Sequence, residues 1–198
     1  MPCVATTRRS RITPEREAEL YETVLRLLRE VGYDALTMDA VAAGTHSSKA
    51  TLYRQWGSKP ELVARALKHG KPGPAPFSVD TGSLRGDLME VVVHGFDDCR
   101  IEQDTALMRG VGRAAHDNAD LLTALREVLI EPSIAELRSL LDRAVDRGEI
   151  RADNPALDLV PHMFLGALIS GELIEQGPIT QEFLISFLDA VMLPALRA

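Results

Sequence analysis

Cysteines, long apolar runs and catalytic signatures are all scarce in this chain of 198 residues. Its two isolated cysteines, Cys3 and Cys99, are not a disulfide framework or a zinc-ligand spacing. No apolar run approaches the roughly 20 residues that span a bilayer. The start, MPCVATTRRSRITPE, carries cations but no apolar stretch behind them, so it does not read as a secretory signal. A cytoplasmic protein with no membrane partner is expected. Internal repeats and low-complexity segments are missing too. No nucleophile elbow, phosphate loop or pair of catalytic carboxylates is visible, so neither an enzyme nor a cofactor is expected. His94 and Asp98, at i and i+4, offer two metal ligands without a third, and no metal site is expected.

Apolar residues make up 45% of the chain, enough for a core in one or two domains. The formal net charge of −7 hides an asymmetry. Residues 1–70 hold 11 Lys and Arg against 8 Asp and Glu, whereas residues 71–198 hold 11 against 21. A basic part and an acidic part fit two surfaces with different partners. The excess in the first part also fits an ordinary surface, and charge alone does not choose.

Apolar residues recur at helical spacing throughout, so the expected fold is all-α with about nine helices. After a tail over 1–13, Thr13-Pro14-Glu15 announces a first helix: a cap, a proline at the first helical position and an acidic first turn. Leu20, Val24, Leu28 and Val31 give it one apolar face, and Gly32 ends it. A short helix from Thr37 and another over about Ser48 to Gln55 follow, with Val41, Ala42, Leu52 and Trp56 as their packing contacts. Ser58-Lys59-Pro60-Glu61 is a capping box that opens a fourth helix running to about His69. The first domain is therefore placed at 14–70. The Pro- and Gly-rich stretch 71–82 is a linker loop, and 83–198 forms a second helical domain. Helices are expected there at about 83–103, 105–117, 119–147, 155–176 and 180–196, with Pro132 kinking or dividing the third.

The stretch SSKATLYRQWGSKPEL, residues 47–62, carries the functional signal. Two short helices joined by a tight turn, the second rich in polar side chains, form a helix-turn-helix whose second helix enters the DNA major groove. Lys49 and Arg54 can neutralise phosphates or donate to guanine, and Gln55 can pair with adenine. Thr37, Ser48, Thr51 and Tyr53 offer hydroxyls to phosphate oxygens, and the helix starts at Thr37, Ser48 and Ser58 favour anions. On spacing and composition alone, an amphipathic helix pair with a solvated face fits equally well.

Residues 14–69 resemble the DNA-binding domain of the TetR family of bacterial transcriptional regulators. The resemblance rests on Gly32-Tyr33, Thr37-Met38, Val41-Ala42, the run SKATLYRQW over 48–56, Ser58-Lys59 and Glu61-Leu62. It implies that Thr37 contacts phosphate, that Lys49, Ala50 and Thr51 face the groove, and that Tyr53 and Lys59 grip the DNA backbone. Arg8, Arg9 and Arg11 are left open between an arm along the duplex and an unattached tail. The chain departs from the family at the turn, where His46 and Ser47 replace a glycine and an aliphatic residue. Histidine is among the less penalised residues at positive φ, so the turn can survive. Losing the aliphatic at Ser47 should weaken packing between the two helices.

The resemblance further implies a second domain that dimerises and binds an effector. Gly166, Ala167, Ser170 and Gly171 form stripes that permit close helix approach, and Phe183, Leu184, Phe187, Leu188 and Val191 recur at helical spacing. Two copies of this pair make a four-helix dimer interface, though core packing within one subunit fits each residue nearly as well. Met89, Val93 and Phe96, with Met108 and Met163, are candidates for an adaptable effector pocket or for ordinary core. The expected function is a homodimeric regulator on a near-palindromic operator, a repressor released by a small molecule. The rival readings are an all-α enzyme, or a protein-interaction adaptor, carrying a helix-turn-helix-like bundle.

Overall fold

The computed structural model describes residues 13–70, 79–95, 98–175 and 179–198, and every regular element among them is helical. Most of the linker loop, the arginines of the tail and Phe96 lie outside the described residues. Helix α1 (Pro14–Ala35) starts where expected, with the Thr13 hydroxyl accepting the Arg16 amide at 3.3 Å. Its regular turns stop at Gly32, whose φ of 74° and ψ of 171° lie in a region open essentially to glycine alone. Helices α2 (Met38–Gly44), α3 (Lys49–Trp56) and α4 (Lys59–His69) follow. The hydroxyls of Thr37, Ser48 and Ser58 cap them, accepting amides at 3.1, 3.1 and 3.2 Å. With 8 residues, α3 is too short to persist alone in water. Burial of Leu52 and Trp56, 0% and 3% exposed, holds it in place.

The second stretch comprises α5 (Leu84–Gly95), α6 (Asp98–His116), α7 (Ala119–Leu125), α8 (Glu131–Asp146), α9 (Val160–Glu175), α10 (Gln181–Phe187) and α11 (Leu193–Arg197). Within the helix expected over 83–103, α5 is described to Gly95 and α6 from Asp98, with residues 96 and 97 outside the described residues. A π-helical turn (Arg126–Ile130) joins α7 to α8, and another (Leu188–Met192) joins α10 to α11. Each closes shortly before a proline, Pro132 or Pro194. A proline ring collides with the carbonyl four residues back, and a widened turn relieves that collision. Pro132 thus divides the long helix as expected.

The apolar cores do not part at the linker. One runs from Leu20, Val24 and Leu28 on α1 through Leu52, Trp56 and Leu62 to Leu107 and Val111 on α6 and Leu121 and Leu125 on α7. A second gathers Leu84 and Leu88 on α5, Leu137 and Leu140 on α8, Val160 on α9, and Leu188 and Leu196, and a third holds Val92, Ile179 and Leu184. So α6 and α7 share a core with the first four helices. Periodicity gives a helix its apolar face but not the partner of that face.

A buried charge cluster fastens α5 to the end of α8. Asp87, 0% exposed, accepts the Thr81 amide at 2.6 Å, the Thr81 hydroxyl at 2.7 Å and Arg147 Nη2 at 2.9 Å. Arg147 also donates to Glu149 at 2.8 Å, and the Glu149 carboxylate accepts the Leu84 amide at 2.9 Å, capping α5. Burial pushes the Asp87 pKa up, but the donors from Thr81 and Arg147 outweigh it and hold the carboxyl below its ordinary value.

Candidate nucleic-acid interface

The turn between α2 and α3 is built from short hydrogen-bonded links. Thr45 is buried, and its hydroxyl donates to Val41 O at 2.7 Å. The Ser47 amide donates to Ala42 O at 3.0 Å and the His46 amide to Ala43 O at 3.4 Å. His46 sits at φ 49°, the left-handed conformation that its place in the turn requires. Gly44, late in α2, lies against α1: a Cβ there would come within 3.0 Å of the Thr23 methyl.

One side of α3 is committed to the core. The Trp56 Nε1–H donates to the Tyr21 hydroxyl at 2.9 Å, which donates to Glu17 at 2.7 Å, and the two rings meet edge-on at 6.0 Å. Burial, reinforced by Glu17 and offset in part by Trp56, raises the Tyr21 pKa to about 12, so the phenol stays a neutral donor. The other side carries Lys49, Ala50, Tyr53, Arg54 and Gln55, all exposed, with Thr51 half-buried beside them. Lys49, Ala50, Tyr53 and Arg54 fall on one helical stripe. Among the described residues Arg54 has neither a hydrogen bond nor an ion pair, so its charge is unspent. Lys49 donates to Asp39 at 2.9 Å, and that hydrogen bond and charge raise its pKa. The Ser48 and Thr51 hydroxyls share a hydrogen bond of 2.9 Å, and Thr37 is exposed at the start of α2.

Lys59, expected to grip the DNA backbone, also makes contacts within the protein. Its ammonium donates to Tyr33 O at 2.9 Å and to Leu36 O at 3.0 Å, and lies 4.1 Å from the centre of the Tyr33 ring. Burial lowers its pKa, and Asp34 pulls part of the way back. At the broken end of α1 the Leu36 amide donates to Gly32 O and Tyr33 O, both at 3.2 Å, and the Lys59 bonds add to these. They tie α4 to α1.

The residues expected at a dimer interface separate into two groups. Ala167, Gly171, Leu184 and Leu188 are buried within their own subunit. A Cβ on Gly171 would run into Ile179 and come within 3.2 Å of the Phe183 ring. Phe183 and Phe187 are half-buried and stacked at 6.4 Å. Gly166, Ser170 and Val191 remain exposed, and Leu165 and Ile174, which sequence reasoning missed, join them at 51% and 71% exposure. The helix is apolar all round, so its sequence pattern could not pick the open side.

Of the candidate pocket residues, Val93 and Met108 are exposed, Met89 is half-buried, Met163 packs against the second core, and Phe96 lies outside the described residues. Two clefts lie elsewhere. One of ≈ 590 Å³ separates α1 from α6, between Leu28, Tyr33, Leu107 and Val111. The other, of ≈ 400 Å³, is polar and bounded by Glu17, Tyr21, Arg65, His69 and Glu127. His94 is paired with Glu90 at 3.0 Å, and the Asp98 side chain lies outside the described residues.

Comparison with known proteins gives this geometry its setting. Residues 20–66 match the profile "Bacterial regulatory proteins, tetR family", and residues 78–191 match "Tetracyclin repressor-like, C-terminal domain". The uncharacterized HTH-type transcriptional regulator Rv1556 of Mycobacterium tuberculosis is 40% identical over 185 residues, covering 91% of this chain and 88% of its own. The DNA-binding transcriptional repressor TetR of Mycobacteroides abscessus is 33% identical over 182 residues, covering 92% and 94%. The crystal structure of the TetR family transcription regulator SCO0332 superposes with a TM-score of 0.65 at 28% identity, over 90% of this chain and 97% of that one. With the helix-turn-helix and both family profiles on one chain, the protein belongs to the TetR family of DNA-binding bacterial transcriptional regulators, and is not an enzyme.

Proposed function

We propose that this chain acts in the cytoplasm as a homodimer that represses transcription from a near-palindromic operator and releases it when a small molecule binds. The observation that carries the reading is the outer stripe of α3. Lys49, Ala50, Tyr53 and Arg54 face solvent on a helix whose other side is anchored by Leu52 and Trp56. In this reading the N-terminal part of α3, with Lys49, Ala50 and Thr51, meets base edges, and Gln55 lies further along the groove. Tyr53, Arg54, Thr37 and Ser48 grip phosphates. The capping hydroxyl of Thr37 accepts an amide yet keeps a proton to donate.

The printed name of the 33% identical relative, a transcriptional repressor, favours repression. For the dimer, Leu165, Gly166, Ser170 and Ile174 on α9, with Val191, form the open apolar face that a second copy would cover. A two-fold axis there sets the two copies of α3 about one duplex turn apart, roughly 34–36 Å, or a multiple of it. Release follows if the effector favours a dimer with a different separation. The core shared by α1, α4, α6 and α7 supports such coupling, because side chains from all four helices pack in one cluster. A coupling of ~1–3 kcal/mol changes operator affinity about 5–150-fold.

The test is enrichment of bound duplexes from a random-sequence pool. A two-fold-symmetric consensus is expected, followed by its release in a small-molecule screen. A pool that stays random after repeated selection would overturn the reading.

A further inference from the structure

We infer that Arg16, on α1, is a positioning residue that sets the pose of α3. This rests on the DNA-reading role proposed above. Thr45 is 5% exposed, and among the described residues no backbone amide donates to its carbonyl. A buried carbonyl needs a donor from somewhere. Here Arg16 Nη2 supplies it, joined by the Ser47 hydroxyl at 3.3 Å. The guanidinium is itself held by Glu19 at 2.9 Å, one turn along α1. Seven residues further on the same helix, the Thr23 methyl abuts Gly44 so closely that a Cβ would have to displace it. One face of α1 therefore grips the end of α2 at two successive residues, by contact at Gly44 and by a charged donor at Thr45.

The grip falls where the turn is least able to hold itself. His46 is the only non-glycine residue at positive φ among the described residues, and Ser47 puts a small polar side chain between the two helices. Three residues separate the Thr45 carbonyl from Lys49, the first residue of α3. A small rotation at Thr45 would swing the whole reading stripe, so the Arg16 contact transmits to base readout without touching DNA.

The experiment uses the full chain and two duplexes, one recovered from a random pool by the wild-type protein and one scrambled. Arg16→Met keeps the length of the side chain and removes donor and charge; Arg16→Lys keeps a donor. Arg16→Met should lower the preference for the recovered duplex over the scrambled one about tenfold, the scale of a hydrogen bond to a charged group. Affinity for the scrambled duplex and the salt slope should hold. Arg16→Lys should recover part of the preference. Melting curves and titration of the DNA-binding-competent fraction correct for any unfolded protein. An unchanged preference, or one that vanishes on that correction, would overturn the inference. So would equal loss on both duplexes with a slope shallower by about 0.9, which marks a phosphate contact instead. If the wild type recovers no duplex at all, the DNA-reading role itself has failed.

Discussion

Arg54 and Lys59 stand five residues apart and look interchangeable in sequence, but the fold gives them opposite employment. The Arg54 guanidinium is unspent, whereas the Lys59 ammonium donates to two carbonyls at the end of α1. Arg54→Ala should therefore leave the fold intact and weaken binding to every duplex, with a salt slope shallower by about 0.9 for the lost phosphate contact. Lys59→Ala should act mainly on stability, by about 1.5–3 kcal/mol for charged hydrogen bonds lost from half-buried carbonyls. Thermal melts beside a salt titration separate the two; a stable Lys59→Ala protein with a flattened slope would return that residue to the DNA. The two bonds from Lys59 were not legible in the sequence, because the carbonyls it serves lie 23 residues or more away. His46, by contrast, was legible. Its place in the turn demanded positive φ, and it adopts 49°. His46→Gly should stabilise the protein slightly, by under about 1 kcal/mol, since relief of the left-handed conformation exceeds the freedom that glycine adds to the unfolded chain. A melting temperature that falls would contradict this.

Helix starts could be read from the sequence because caps are local: Thr13, Thr37, Ser48 and Ser58 each serve an amide within three residues. Which face of α9 meets the subunit's own core could not, because that depends on what folds back against it. Gly166 and Gly171, equivalent in the sequence, separate on this point. Gly171→Leu should destabilise the subunit by roughly 1–3 kcal/mol through overpacking against Ile179 and Phe183. Gly166→Leu meets open space and should leave the monomer folded while breaking the dimer, as light scattering beside a melt would register. A dimer that survives Gly166→Leu would move the interface elsewhere. The clasp between α5 and α8 was invisible for a similar reason, since Asp87 and Arg147 lie 60 residues apart. Removing the carboxylate while its partner remains should be expensive, so Asp87→Asn is expected to cost about 3–5 kcal/mol at neutral pH. Its pKa is lowered by folding, so this stabilisation is present above the ordinary carboxylate range and is lost as pH falls through the folded value. Denaturant titrations of wild type and Asp87→Asn should therefore converge on acidification; a constant gap would refute the assignment.

At the scale of the whole molecule, charge and core are divided differently. Charge changes sign near the linker, with the excess of cations confined to residues 1–70. The acidic remainder is repelled by phosphates, which helps the basic end approach a duplex first. The core ignores that boundary, because α6 and α7 pack with α1 and α4. The charge division was legible in composition. The shared core was not, because apolar periodicity is the same whichever helix comes to cover it. Together they describe a reading end that is electrostatically distinct yet mechanically continuous with the rest, which is what release by a remotely bound ligand requires. All of this depends on the stripe of α3 entering a groove. The most direct test is equilibrium binding of the intact protein to a duplex recovered from random DNA, against a scrambled duplex, over a range of salt. The account predicts a preference of at least about a thousandfold and an affinity for both that falls steeply with salt. Equal affinity for the two duplexes would contradict it.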